Sequence, residues 1–256
     1  MIRALDAFAF SSALVACAAS ALAAAASRAL GFAPQPALLA LVFCGTVAVY
    51  CVDRVRDLTR DARTSPLRSA FVAAHRRELL GVAALCAGGA LAAGMAADVR
   101  AVAVAGAVAA LGFAHRRLKR FMWLKPFYLS SSWTAVCVGL PAVASAPPPG
   151  LARLSFVAGA VIGTVQANVI LSNLRDAEGL AAHFGARRAR RVAGLFLAGS
   201  LACALLGPAG TQPLAALPLA MAGAVAAFRP GERFGAWVVD GALLAGGLAA
   251  FASPWR

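Results

Sequence analysis

The chain has 256 residues, of which 61% are hydrophobic and only 13% charged, with a formal net charge of +14. Soluble domains carry about 25% charged residues, so this composition excludes an ordinary soluble protein. The apolar residues form long runs between short basic segments, without the alternation that is typical of an outer-membrane β-barrel. We therefore predict a single all-α membrane domain over residues 1–256, with no room for a soluble domain beyond the loops.

Nine transmembrane helices are predicted from the apolar runs. The first run does not look like a cleaved signal peptide, because it is long, follows Asp6 and leads directly into further spans. We expect it to remain as the first helix. The nine helices are expected near residues 7–29, 36–52, 78–97, 100–114, 127–146, 154–172, 192–209, 213–228 and 235–252.

Lys and Arg residues are distributed unevenly between the two ends of the predicted helices. With the N-terminus inside, only Arg28, Arg100, Arg153 and Arg256 of the 24 Lys and Arg residues lie on the outer side. Cytoplasmic loops carry an excess of positive charge, so we predict an N-in, C-out topology. Most of these basic residues are expected to orient the bundle and contact anionic membrane lipid. Nucleic-acid binding is not expected, since no RNA-binding fold accompanies the basic tracts.

Three aspartates follow the second predicted helix, in the segment YCVDRVRDLTRD. Asp53, Asp57 and Asp61 are spaced by four residues, and residues four apart on a helix differ by about 40° in direction and about 6 Å in height. The three carboxylates are therefore predicted to form one stripe that can converge on cations bridging a phosphate. The alternative is a solvated helix end, in which the neighbouring arginines pair with these carboxylates.

A second polar cluster follows the sixth predicted helix, in the segment NLRDAEGL. Asn173, Asp176 and Glu178 supply oxygen ligands of the kind that divalent cations bind. In the predicted topology both acidic loops, 53–77 and 173–191, face the cytoplasm. An inverted-repeat transporter would not place them on one side, so we expect a shared pocket.

A basic loop at residues 115–126 lies between the two acidic loops in the sequence. Lys119, Arg120 and Lys125 are candidates to neutralise a diphosphate held by metal ions, although orientation of the chain explains them equally well.

Polar groups also gather toward the predicted cytoplasmic ends of three helices. An ionisable residue within a membrane helix indicates a functional site, so Asp240 is expected to face the bundle interior. The other polar groups lie in the fifth and sixth helices and are Tyr128, Ser130, Ser131, Ser132, Trp133, Gln166 and Asn168.

The predicted spans, the topology and the two acidic motifs together resemble the UbiA superfamily of intramembrane prenyltransferases, over nearly the whole chain. The family's first motif, N-x-x-x-D-x-x-x-D, fits in two registers. It matches either Asp53, Asp57 and Asp61, with Asp in place of Asn, or Val49, Asp53 and Asp57, with the Asn lost. The pair Asp53–Arg54 looks like the family's usual Asp-Arg and favours the second register.

The family's second motif, often D-x-E-G-D, is similar to the segment Asp176–Leu180. Asp176, Glu178 and Gly179 match it, whereas Leu180 stands where the family has its closing Asp. The remaining basic elements of the family resemble Arg68, Lys119 and Arg120.

The resemblance implies a nine-helix bundle of the UbiA type that transfers an isoprenyl group from a polyprenyl diphosphate to an aromatic or other lipid-precursor acceptor. It implies Mg²⁺ ions held by Asp53, Asp57 and Asp176, with Lys119 as a further catalytic residue, at the cytoplasmic face of a bacterial inner membrane. The metal and cations would stabilise the leaving diphosphate while the acceptor attacks the allylic carbon. The expected substrate-binding residues are Arg54, Asp61, Arg68, Arg120, Lys125, Asn168, Asn173 and Glu178.

Three alternatives remain open at the level of sequence. A terpene synthase of the same type would use the same metal site and let the cation cyclise. A non-catalytic homologue that binds an isoprenoid or a membrane partner is suggested by Leu180 and by the missing Asn. A transporter is disfavoured, because both motifs face one side and no predicted helix is interrupted midway.

Overall fold

The computed structural model describes residues 2–118, 124–175 and 180–255. Within these ranges the chain is helical and contains no β-strand. The prediction of an all-α membrane protein is confirmed, since six of the described helices are long and apolar enough to cross a membrane. These six are Pro36–Arg56, Arg76–Ala97, Pro126–Ala144, Leu151–Leu174, Gly185–Leu206 and Glu232–Ala252.

The first predicted helix is broken in the structure. Helix α1, Ile2–Phe10, meets helix α2, Ala13–Ala29, at Ser12, whose φ of 72° is left-handed. The two apolar helices are bent by 60° at this break. The sequence predicts one helix over 7–29, because a change in backbone conformation at a single residue leaves the apolar pattern on both sides intact.

The helices of the first half follow in chain order. Pro36 and Pro66 stand at the start of two of them, where the missing N–H costs no hydrogen bond. At the turn before the last of these helices, Arg100 donates side-chain and backbone hydrogen bonds to the carboxylate of Asp98. These bonds hold the pKa of the Asp98 carboxyl below its usual range. The helices are α3, Pro36–Arg56; α4, Leu58–Asp61; α5, Pro66–Ala74; α6, Arg76–Ala97; and α7, Val99–Leu118.

The second half contains two wider, π-helical turns inside its helices. They span Ala135–Gly139 and Gly235–Val239, and such turns occur frequently at functional sites. The helices are α8, Leu124–Thr134; α9, Leu140–Ala144; α10, Leu151–Arg175; α11, Leu180–Leu206, with a break in helical geometry at Gly185; α12, Ala216–Ala226; α13, Glu232–Phe234; and α14, Asp240–Ala252.

The predicted number of spans is matched only in part. Besides the six long helices, the bent pair α1–α2 provides one further candidate. Two shorter apolar helices, Val99–Gly112 and Gln212–Ala226, lie where the fourth and eighth spans are predicted. The count of nine and the N-in, C-out orientation therefore stay predictions.

Helix α10 lies at the centre of the bundle. Two thirds (67%) of its apolar stretch is buried, whereas only 22% of the stretch in α6 is. Gly163 permits the close approach of α11, because a Cβ there would lie 2.7 Å from the carbonyl oxygen of Phe196. Small residues at helix contacts are typical of membrane proteins. No hydrophobic force drives helices together in lipid, so they associate through close van der Waals packing.

Helices α4 and α5 form a polar segment between α3 and α6, and α5 is tied to α13. The carboxylate of Glu232 accepts the backbone N–H groups of Leu67 and Arg68 at 2.9 Å each. These N–H groups belong to the first turn of α5, which has no partner for them within the helix. A second tie joins α13 to α1, where Arg233 pairs with Asp6 at 2.9 Å.

We expect Glu232→Ala to loosen α5 without unfolding the bundle. The change removes both bonds to the first turn, and loss of such a cap costs about 1–2 kcal/mol. Backbone amides of residues 67–74 are therefore expected to exchange about tenfold faster in hydrogen–deuterium exchange read by mass spectrometry. Glu78→Ala, which alters an exposed carboxylate of α6, serves as the control. Equal exchange in the two variants would contradict the capping role.

Candidate functional site

A cavity of about 280 Å³ lies between α3, α7 and the helix that α8 and α9 form. Its volume is close to the lower limit of the volumes of ligand pockets, which is about 300 Å³. The wall formed by α3 runs from Leu41 to Asp53. Because a helix rises 1.5 Å per residue, these twelve steps extend about 18 Å, so the cavity is elongated along the bundle.

The lining changes character between the two ends of the cavity. One end carries small and aliphatic side chains, including Ala19, Leu41 and Leu140. The other end carries Asp53 with the polar and aromatic side chains Tyr50, Tyr128, Ser132 and Trp133. The cavity is thus apolar along most of its length and acidic at one end.

A hydrogen bond joins the two helix ends around the polar opening. The Nε1–H group of Trp133 donates to the hydroxyl of Tyr50 at 2.9 Å, and their rings meet edge to face at a centroid distance of 6.5 Å. This contact places the C-terminal part of α3 beside the end of α8. Asp53 and the polar groups of α8 therefore share one level of the bundle.

Asp53 and Asp57 lie together at the end of α3. Arg56 donates to Asp53 at 3.0 Å, and its Nε lies 4.0 Å from Asp57. Asp57 is only 3% exposed, whereas Asp53 is more open and lines the cavity. A buried carboxylate needs compensating charge, and Arg56 contributes positive charge beside both acids.

Asp61 does not extend the stripe of carboxylates. Helix α3 ends at Arg56, the chain turns at Asp57, and Asp61 lies at the end of α4. Its carboxylate pairs with Arg68 at 2.9 Å. The uninterrupted helical stripe predicted from the spacing is therefore wrong, because the helix is interrupted at the second aspartate, Asp57, before the chain reaches Asp61.

The chemistry of the two remaining carboxylates fits Mg²⁺. This ion is bound in proteins by one or two carboxylates together with waters and substrate phosphates. Among the residues that the structure describes, no group of three or more His, Cys, Asp or Glu side chains is placed to hold a metal ion. A site built on Asp53 and Asp57 would therefore need further oxygen ligands from the substrate or from residues 176–179.

Arg54 faces away from the carboxylate pair and binds the break between α1 and α2. Its guanidinium donates to the carbonyl of Ala9 at 3.3 Å and to that of Phe10. These carbonyls end α1 and lack partners within that helix. The predicted substrate-binding residue thus caps a helix in this structure, and its role toward a substrate stays a prediction.

The predicted polar residues of α10 are buried at the same end of the bundle. Asn168 donates to Asp240 at 3.3 Å and to the carbonyl of Val239 at 3.2 Å, which joins α10 to the start of α14. Asp240 is partly buried within this contact, in agreement with its predicted inward position. Asn173 is 4% exposed, two residues before the end of α10.

The remaining predicted residues cannot be placed. Lys119, Arg120, Asp176 and Glu178 lie outside the described residues, and the side chain of Lys125 is likewise not described.

Two residues at this end of the bundle are missed by sequence reasoning. Tyr50 lies three positions before Asp53, and this spacing on one helix face is the only signal for it. Glu232 has no local signal, since its partners lie 165 and 164 residues away.

The comparisons support the fold. No family model matches the sequence, and no curated protein matches it significantly. Among solved structures, the chain is similar to one described as a digeranylgeranylglyceryl phosphate synthase in membranes. The match covers 99% of this chain and 100% of the other, with a TM-score of 0.57 and 12% sequence identity. A likeness at this identity shows a shared architecture over the whole chain.

Proposed function

We propose that the protein is a divergent intramembrane prenyltransferase of the UbiA type, which transfers an isoprenyl group from a polyprenyl diphosphate to an aromatic or other lipid-precursor acceptor. The observation that carries the proposal is the elongated apolar cavity that ends at Asp53. A donor with a long hydrocarbon chain matches the apolar part of that cavity, and its diphosphate matches the acidic end when Mg²⁺ bridges the phosphate and the carboxylate. The architecture shared with a synthase of a geranylgeranylated lipid supports the same substrate class.

Asp53 and Asp57 are proposed to hold Mg²⁺ against the diphosphate of the donor. The bound ion would supply Lewis-acid stabilisation of the leaving diphosphate. Arg56 lies within 4.0 Å of both carboxylates, so it would lie beside a head group that is held there. By the motif resemblance, Asp176 and Glu178 complete the oxygen ligands, while Lys119, Arg120 and Lys125 neutralise the phosphates.

The proposed reaction requires no covalent enzyme intermediate. The bond between the allylic carbon and the ester oxygen breaks, and its electron pair leaves with the diphosphate. The acceptor donates an electron pair to the allylic carbon and then loses a proton. The apolar walls keep water from the donor chain, which limits hydrolysis in competition with transfer. By the charge asymmetry of the loops, this site faces the cytoplasm.

A second candidate is a non-catalytic isoprenoid-binding protein. It is favoured by Leu180, which stands at the closing position of the second motif, where the family has an Asp. Such a protein would use the same cavity and would bind an isoprenoid without dependence on Mg²⁺.

Binding and turnover of geranylgeranyl diphosphate by the purified protein in detergent separate the two candidates. We expect saturable binding that requires Mg²⁺ and is lost with EDTA, followed by slow release of inorganic diphosphate. Geranylgeraniol, which lacks the anionic head, serves as the control ligand and is expected to bind without regard to Mg²⁺. Equal, metal-independent binding of both compounds with no diphosphate release would reject the transferase.

A further inference from the structure

The aromatic side chains of the cavity lie toward its polar end. Among the described residues that line it, the aromatic ones are Tyr50, Tyr128 and Trp133. Tyr50 precedes Asp53 by three residues, so it lies about 4.5 Å further along α3, toward the apolar end. Beyond it the same helix lines the cavity with Thr46 and Val42, and the Thr46 hydroxyl donates a hydrogen bond to the carbonyl of Val42 at 2.7 Å.

The level of Tyr50 would coincide with that of the reacting carbon of the proposed donor. If the diphosphate is held at Asp53, the ester carbon is the first atom beyond the head group in the direction of the cavity. A step of about 4.5 Å from Asp53 along α3 reaches Tyr50. In that position the atom that becomes positively charged when the carbon–oxygen bond breaks would lie at the level of Tyr50.

The ring of Tyr50 is held in a defined position. Trp133 donates its Nε1–H group to the Tyr50 hydroxyl at 2.9 Å, and the two ring planes stand at 90°. Both residues are partly buried and belong to different helices, so the hydrogen bond prevents the rings from turning away independently. A preorganised group needs no rearrangement when charge develops in the transition state.

We propose that Tyr50 is a catalytic residue whose ring stabilises the allylic cation, with Trp133 as the positioning residue that holds it. The inference rests on the proposed function. The carbon–oxygen bond breaks, its electron pair leaves with the diphosphate, and the positive charge spreads over the allylic carbons beside the ring. Aromatic faces attract cations, by about 2 kcal/mol where the site is desolvated. The cation is consumed when the acceptor, or water in its absence, donates an electron pair and loses a proton.

The test compares Tyr50→Leu and Tyr50→Phe in single-turnover release of diphosphate from geranylgeranyl diphosphate with Mg²⁺. We expect Tyr50→Leu to bind the donor within about twofold of the unchanged protein but to release diphosphate about 30-fold more slowly, since about 2 kcal/mol corresponds to that factor. Tyr50→Phe keeps the ring and is expected to stay within about threefold of the original rate. Retained donor binding in both variants also shows that they are folded.

Phe127→Leu is the matched control, because it removes an aromatic ring of α8 that is 54% exposed and does not line the cavity. It is expected to leave both binding and rate unchanged. A normal rate in Tyr50→Leu would overturn the role of the ring, and so would an equal loss in Tyr50→Phe, which would assign the effect to the hydroxyl. A tenfold loss of donor affinity in Tyr50→Leu would make Tyr50 a binding residue instead. If the unchanged protein shows no Mg²⁺-dependent binding, the proposed function itself fails, and the inference with it.

Discussion

Asp53→Asn is expected to abolish Mg²⁺-dependent binding of a polyprenyl diphosphate. The amide has nearly the shape of the carboxylate but lacks its charge, and Asp53 is the acidic side chain that lines the cavity. Loss of groups that merely orient metal ligands costs about 10- to 100-fold in metal affinity. Removal of a proposed ligand is therefore expected to weaken metal-dependent binding by at least about 100-fold. Equilibrium binding of labelled geranylgeranyl diphosphate at several Mg²⁺ concentrations measures this effect.

Asp98→Asn provides the matched control for this experiment. Asp98 is also a carboxylate paired with an arginine, but it lies at the turn between α6 and α7, outside the cavity lining. Its substitution is expected to leave binding unchanged. Donor affinity that is the same in Asp53→Asn and in the unchanged protein would remove Asp53 from the metal site and leave the motif resemblance without chemical support.

Gly45→Leu is expected to block the cavity for long donors while the protein stays folded. Gly45 lines the cavity, and a Cβ added there meets no heavy atom within 4 Å. The four carbons of the leucine side chain then occupy space that about four carbons of the donor would fill. At about 0.8 kcal/mol per buried methylene, the loss is about 3 kcal/mol, or about 100-fold in affinity.

Two comparisons make the steric explanation specific. Gly88→Leu adds the same side chain on α6, where a Cβ also meets nothing within 4 Å and the residue is exposed, so donor binding should not change. Dimethylallyl diphosphate, which has only five carbons, is expected to bind Gly45→Leu and the unchanged protein alike. Equal affinity of Gly45→Leu for the long donor would show that the hydrocarbon chain lies elsewhere.

Much of the fold is predictable because membrane spans are encoded locally. The apolar runs identify the long helices, and the bounds differ from prediction mainly at helix ends, as in α10, Leu151–Arg175, predicted at 154–172. The break at Ser12 is not predictable from hydropathy, because the apolar residues continue on both sides. The cap that Arg54 supplies from α3 stabilises this break and depends on a contact 44 or 45 residues away.

The candidate site is predictable in its acidic residues but not in its shape. The spacing of four correctly marks Asp53 and Asp57 as neighbours, whereas Asp61 turns to Arg68 once α3 has ended. Helical periodicity assumes a continuous helix, and a single turn at Asp57 invalidates it. The spacing therefore indicates which aspartates are close to one another in the chain, and the position where α3 ends determines which of them share a partner.

The sequence by itself determined the membrane class, the long helices and the carboxylates at the end of α3, because hydropathy and short spacings depend on neighbours in the chain. Only the tertiary structure decided that Tyr50 meets Trp133, 83 residues away, and that Glu232 caps α5 from 165 residues away. Such contacts arise from how helices pack on small residues in a medium that exerts no hydrophobic force between them. The cavity and its polar end are products of that packing, which no local pattern in the chain encodes.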